Sequence, residues 1–148
     1  MSVTNRETIR DSFTTLLSSA LVGTGKPAQA VYGYQVGDFS NMTPVVTVSG
    51  GGIERSQSAV ATREMLRVYL NVHIFVLYSD QDSWGEDDAE DRVDLIENTI
   101  AQTICDNRTH DNWVNIQYSG RTQMGSLEIS GIEYRWEVIP IRVDAYDN

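Results

Sequence analysis

Eight carboxylates fall between Asp80 and Asp94 in the stretch "YSDQDSWGEDDAEDRVDLI", residues 78–96. Oxygen ligands at this density raise calcium as a possible guest. Counting from Asp80, an EF-hand-like loop would place Asp82 third, Gly85 sixth, Asp88 ninth and Asp91 twelfth, which is a partial match. Trp84 stands fifth and cannot ligate, Asp87 stands at the eighth position where paired loops carry an apolar residue, and the preceding segment reads as strand. The same residues also read as the mouth of a helix. Ser83-Trp84-Gly85-Glu86 has the form of a capping box, and carboxylates in a first turn are favoured by the positive end of the helix macrodipole. We read an acidic helix start and assign no metal, with weak divalent-cation binding as the alternative.

The remaining chemical candidates are weaker. "ALVGTGKP", residues 20–27, echoes a phosphate loop, but Ala20 replaces its first glycine, Pro27 replaces the serine or threonine that holds magnesium, and a helix precedes it where a strand is required. Cys105 and His110 invite a nucleophile-and-base reading. Cys105 follows Ile104 at the end of an amphipathic helix, however, where the sequence predicts a small packed hydrophobe. His73, with His110 the only other histidine, reads as a strand-face residue and not as a zinc ligand. "NRT" at 107–109 is a glycosylation sequon without a secretory context. We therefore assign no catalytic, cofactor-binding or metal-binding residues, and expect that the protein is not an enzyme.

Composition narrows the class. A chain of 148 residues, 41% hydrophobic and 22% charged, fits one globular domain over residues 1–148. Eleven basic against 21 acidic residues give a formal charge of −10, the wrong sign for gripping nucleic acid through its phosphates. Cys105 is the only cysteine, so no intramolecular disulfide can form. The first twenty residues lack the basic start and apolar core of a secretory signal, and the longest apolar run, 72–78, contains His73 and is too short to span a bilayer. The sequence predicts a cytoplasmic protein with no membrane segment.

The elements follow from periodicity. Thr4-Asn5-Arg6-Glu7 has capping-box form, and Ile9, Phe13, Leu16, Leu17, Ala20 and Leu21 recur at helical spacing until Gly23, Gly25 and Pro27. Residues 30–36 and 45–48 are rich in β-branched and aromatic side chains, with "GDFSNMTP" as a turn-forming loop between them. Residues 49–59, "SGGGIERSQSA", read as a flexible loop. A long strand follows over 63–78, with Val68, Leu70, Val72, Ile74 and Val76 on one face and Arg67, Tyr69, Asn71 and His73 on the other.

A second helix over 86–106 buries Val93, Ile96, Ile100 and Ile104 and turns Asp87, Asp91 and Asp94 elsewhere. Two strands close the pattern, 113–119 and 127–143. In the latter Ile132, Tyr134, Trp136 and Val138 alternate with Glu133, Arg135 and Glu137 until the phase shifts at Pro140, which predicts a bulge or an edge. The expected fold class is α+β: an antiparallel (mixed) β-sheet of about four to five strands packed with two main α-helices, in the order α-β-β-β-α-β-β. The glycine-containing segments 50–58 and 120–126 read as polar loops beside long strands. Pattern alone leaves open whether Tyr69, Phe75, Leu77 and Trp113 are covered by the helices or by another subunit.

An amphipathic first helix, "TPVVTVSGGG", the long strand "MLRVYLNVHIFVLYS", the acidic-start helix "DDAEDRVDLIENTIAQTI" and the closing "ISGIEYRWEVIPIRVDAY" together resemble the tail terminator family of long-tailed bacteriophages. This family is also called the minor tail protein U or tail completion family. The resemblance covers residues 6–146 and lies in element order and hydrophobic pattern. It implies a ring, generally a homo-hexamer, that caps the tail tube at the end facing the capsid, stops tube polymerisation and offers a docking surface for the head. Its implied partners are further copies of itself, the tail tube protein and a head-tail connector or neck protein. DNA passes through the centre without sequence-specific binding, and the implied location is the tail or neck of the virion, after assembly in the host cytoplasm. A neck or head-closure joining protein is the alternative within the same class, and a divalent-cation-binding module or small enzyme is the alternative outside it.

Overall fold

The structure, a computed structural model, describes residues 4–40, 42–57, 64–79 and 84–146. Helix α1 (Arg6–Leu21) begins at Asn5, whose side-chain oxygen accepts the Glu7 N–H at 2.8 Å. The cap thus sits one residue later than the expected Thr4, and asparagine is as good an N-cap as threonine. Thr4 Oγ1 donates instead to the carbonyl of Tyr146 at 3.2 Å. Helix α2 (Glu86–Asp106) has Gly85 at its N-cap, two residues beyond the expected Ser83, which lies outside the described residues. Glycine has no side chain to give, so the Asp88 carboxylate supplies the cap by accepting the Gly85 N–H at 2.8 Å. The buried stripes are Ile9, Phe13, Leu17 and Leu21 on α1, and Ala89, Val93, Ile96, Ile100, Thr103 and Ile104 on α2.

Among the described residues six strands form one mixed sheet: β1 (Ala30–Tyr32), β2 (Val45–Gln57), β3 (Glu64–Leu77), β4 (Asn115–Tyr118), β5 (Gln123–Ile129) and β6 (Ile132–Tyr146). Their spatial order is β1-β2-β3-β6-β4, with β5 also paired to β6 beside β4. β1 runs parallel to β2, and every other pairing is antiparallel. The chain is therefore α+β with two helices, but the order is α-β-β-β-α-β-β-β, one strand more than expected.

Three local differences have physical causes. The expected loop at 49–59 is instead strand as far as Gln57, because the ladder to β3 continues to the pair Gln57↔Glu64. The glycines serve a bulge between Gly50 and Gly52, and Gly52 takes a φ of 110° that a side chain rarely tolerates. The single strand expected over 127–143 is a hairpin, whose turn residues Ser130 and Gly131 have φ of 52° and 79°. Two consecutive positive φ values match the twist of a two-residue hairpin, so β5 occupies much of the segment expected as loop at 120–126.

Pro140 makes neither bulge nor edge; β6 keeps register with β3 through Asn71↔Pro140. Its carbonyl accepts the Ser119 N–H at 2.8 Å, so its nitrogen faces the same side, where β5 has ended opposite Val138 and β4 begins opposite Ile141. The missing donor falls at the seam between two short strands.

Both helices pack on one face of the sheet. Val46, Val48, Leu66, Val68, Leu70, Val72, Ile74, Val76, Ile116, Ile139, Ile141 and Val143 meet them there and form the main core. Among the described residues the opposite face is covered at one end only. Residues 33–40 of the β1–β2 connection cross over it and drop Phe39 onto Phe75 and Tyr134, with ring centroids 4.9 and 5.2 Å away. Phe75 is thus covered by its own chain's connecting loop, while Trp113 belongs to the helix-side core. The apolar residues of β6 change faces where the covering layer changes, which is the phase shift that the sequence displays at Pro140.

Candidate functional site

The part of the sheet left bare beyond Phe39 is the surface on which polar chemistry collects. β3 presents Arg67, Tyr69, Asn71 and His73 to it, β6 presents Trp136, Val138, Arg142 and Asp144, and β2 adds Glu54. Asp144 is the hub. Its carboxylate lies 3.4 Å from Arg67 Nε, 3.3 Å from Arg142 Nη2 and 3.3 Å from Asn115 Nδ2. The Arg67 contact has ion-pair distance but not hydrogen-bond alignment, so Arg67 Nε and Asp144 Oδ1 are buried without a hydrogen-bond partner, as is Arg142 Nε. Two guanidiniums on one carboxylate leave spare donors at this face.

Neighbouring polar groups are held in place. Tyr69 Oη donates to Glu54 at 2.9 Å, and the hydrogen bond together with burial pushes the phenol pKa up. Trp136 Nε1 donates to His73 Nδ1 at 3.1 Å, and the imidazole lies nearly parallel to the Phe75 ring, with centroids 6.0 Å apart. Burial lowers the His73 pKa, and accepting the indole proton keeps Nδ1 unprotonated. His73 is a strand-face residue, as its alternation predicts. Among the described residues the charged side chains that the strands turn to this face are Glu54, Asp144, Arg67 and Arg142, two of each sign. Helix α2 on the other side carries eight acidic residues against Arg92 alone. The molecule is strongly polarised, with an acidic back and a neutral sheet face.

The residues singled out in the sequence are scattered. Asp80 and Asp82 lie outside the described residues, Asp88 is occupied in capping α2, and Asp87, Asp91 and Asp94 are exposed along that helix. Among the described residues no three His, Cys, Asp or Glu side chains gather closely enough to hold a metal ion. Cys105 is exposed, not packed as expected, because it follows Ile104 by one residue and so turns about 100° away from the buried stripe. His110 stacks on Trp113 at 4.3 Å and accepts the Asn112 N–H, so its ring is engaged in the turn before β4. Lys26, the only lysine of the chain, donates to the Ser19 carbonyl and caps α1; it takes no part in a phosphate loop. Asn107 is the C-cap of α2, its side chain donating to the Thr103 carbonyl.

What sequence reasoning missed is the Arg67–Asp144–Arg142 cluster. Its members lie far apart along the chain and meet only through the β3–β6 register, for which strand periodicity gives the face but not the partner. Glu137 was also hidden. It alternates as a surface residue but points under α2, 4% exposed, where burial and the nearby Glu97 and Asp94 push its pKa up. Two polar links tie α2 down beside it: the bidentate Arg135–Glu90 pair at 2.6 and 3.2 Å, and the Tyr118 hydroxyl donating to Glu97 at 2.9 Å. Neither a protein-family model nor a curated protein sequence matches the chain. Among the described residues no helix is long and apolar enough to cross a membrane.

Proposed function

We propose that this chain is a structural ring subunit of a long-tailed bacteriophage, a tail terminator that caps the tail tube at the capsid end. In this reading it stops tube polymerisation, presents a docking surface to a head-tail connector or neck protein, and resides in the tail or neck of the virion. The observation that carries the reading is the half-covered sheet. One face is sealed by α1 and α2, whereas among the described residues the other is sealed only under Phe39 and is otherwise polar and charge-balanced. A subunit of this kind is completed by its neighbours. The acid excess fits a passage through which DNA must slide, since a surface of that sign releases no counterions from the duplex and does not hold it.

The test is mass by light scattering across protein concentration, with and without magnesium, followed by negative-stain imaging. The expected outcome is a ring of about six copies with a hole of roughly 20 Å or more, wide enough for duplex DNA. Added to polymerising tail tube protein, the chain should bind tube ends and shorten the tubes. Tubes that grow to their usual length, with no copy of the chain at their ends, would remove the reading. Asp80→Asn, Asp82→Asn and Asp88→Asn together should leave assembly unchanged with or without calcium; a loss of calcium-dependent assembly would instead favour the divalent-cation module.

A further inference from the structure

Strand β5 has the marks of an edge that expects another strand. It is seven residues long and pairs only with β6; among the described residues nothing pairs with its outer edge. Every second residue of such a strand points its N–H and C=O away from the sheet, so about three or four residues offer unpaired groups. Folded proteins blunt exposed edges with lysine, proline, bulges or very short strands. β5, "QMGSLEI", has no lysine, proline or bulge, and its one charged residue, Glu128, lies next to its end. On the opposite side of the sheet the three-residue β1 covers only Val45, Val46 and Thr47 of β2, so among the described residues the outer edge of β2 from Val48 onward has no paired strand either.

Two further observations identify the partner. Among the described residues six large hydrophobic side chains are substantially exposed, and three of them, Val114, Met124 and Leu127, lie in and beside β4 and β5. The same segment is electrically neutral: residues 112–130 carry only Arg121 and Glu128, in a chain of net charge −10. Two copies of so acidic a molecule repel over most of their surfaces, and residues 112–130 form a neutral, partly apolar stretch where they can meet. We infer that β5 is a docking edge for a strand of a second copy of this chain, which extends the sheet from one subunit into the next. Within the ring reading, on which this geometry rests, the incoming strand comes from the β1 side of the neighbour's sheet, because only a contact between unlike edges repeats around a ring.

Hydrogen exchange followed by mass spectrometry, read across a concentration series alongside light scattering, tests this. Amides of residues 123–129 should exchange about tenfold more slowly or better in the assembled species than in the monomer. Amides of α2 should not change. The double variant Met124→Lys, Leu127→Lys alters only exposed side chains and should stay monomeric at concentrations where the parent assembles, with an unchanged circular dichroism spectrum. A ring whose β5 amides remain unprotected would overturn the inference and leave the ring reading standing. A dimer with protected β5 would keep the inference and remove the ring. A chain that is monomeric at every concentration would overturn the inference.

Discussion

Glu137 carries the clearest residue-scale consequence. Among the described residues it is the only buried carboxylate, and burial, then the nearby Glu97 and Asp94, outweigh the Thr122 hydrogen bond and Arg135 to raise its pKa above the ordinary 4.5. The folded protein therefore holds this proton to higher pH than the unfolded chain does. Its contribution to stability is complete below 4.5 and is lost as pH climbs through the raised folded value. Glu137→Gln should raise the melting temperature little at about pH 4 and progressively more towards about pH 7, as followed by circular dichroism. A gain of equal size at both pH values would assign the effect to packing. His73 titrates in the opposite sense: its lowered pKa makes its contribution fall away as pH drops below 6.5. Comparing each variant with the parent at each pH separates the two.

At the scale of elements, the bulge in β2 is the sharpest test of why a glycine-rich segment is strand. Gly52 sits at φ 110°, where an added Cβ is strained even though no other atom lies within 4 Å of it. Gly52→Ala should cost about 1–3 kcal/mol in urea unfolding with an unchanged m-value. Gly50→Ala, at an ordinary φ with open space around it, should cost far less. The helices and β3 were legible in the sequence because Ile9 to Leu21, Val93 to Ile104 and Val68 to Val76 each repeat with one period against one partner layer. The bulged half of β2 was not, since "GGG" signals turn by composition while the β3 ladder overrides that preference. The β5–β6 hairpin is hidden in the sequence because its turn spends only two residues, Ser130 and Gly131, between two strands. The bare sheet face could be read as polar positions along β3, but which groups meet on it depends on pairing across the chain.

For the molecule as a whole, charge governs association. With net −10, most of it on α2, copies repel at long range, and a neutral contact gains when that repulsion is screened. Raising sodium chloride from about 0.01 to 0.15 M shortens the Debye length from roughly 30 to 8 Å. Self-association should therefore strengthen over this range in sedimentation velocity. Weakening with salt would mean that ion pairs between subunits hold the assembly. The pairing of β3 with β6 has a separate consequence, for synthesis. These two strands form the centre of the sheet, yet 54 residues lie between Leu77 and Ile132. At a usual elongation rate of about 5–20 residues per second, roughly three to eleven seconds pass before β6 follows β3 out of the ribosome. Helix α2 emerges in that interval and can cover the apolar face of β3, but it cannot satisfy the edge. During each round of translation, the strand destined for the middle of the sheet is thus temporarily an outer one, open to pairing with a neighbouring nascent chain.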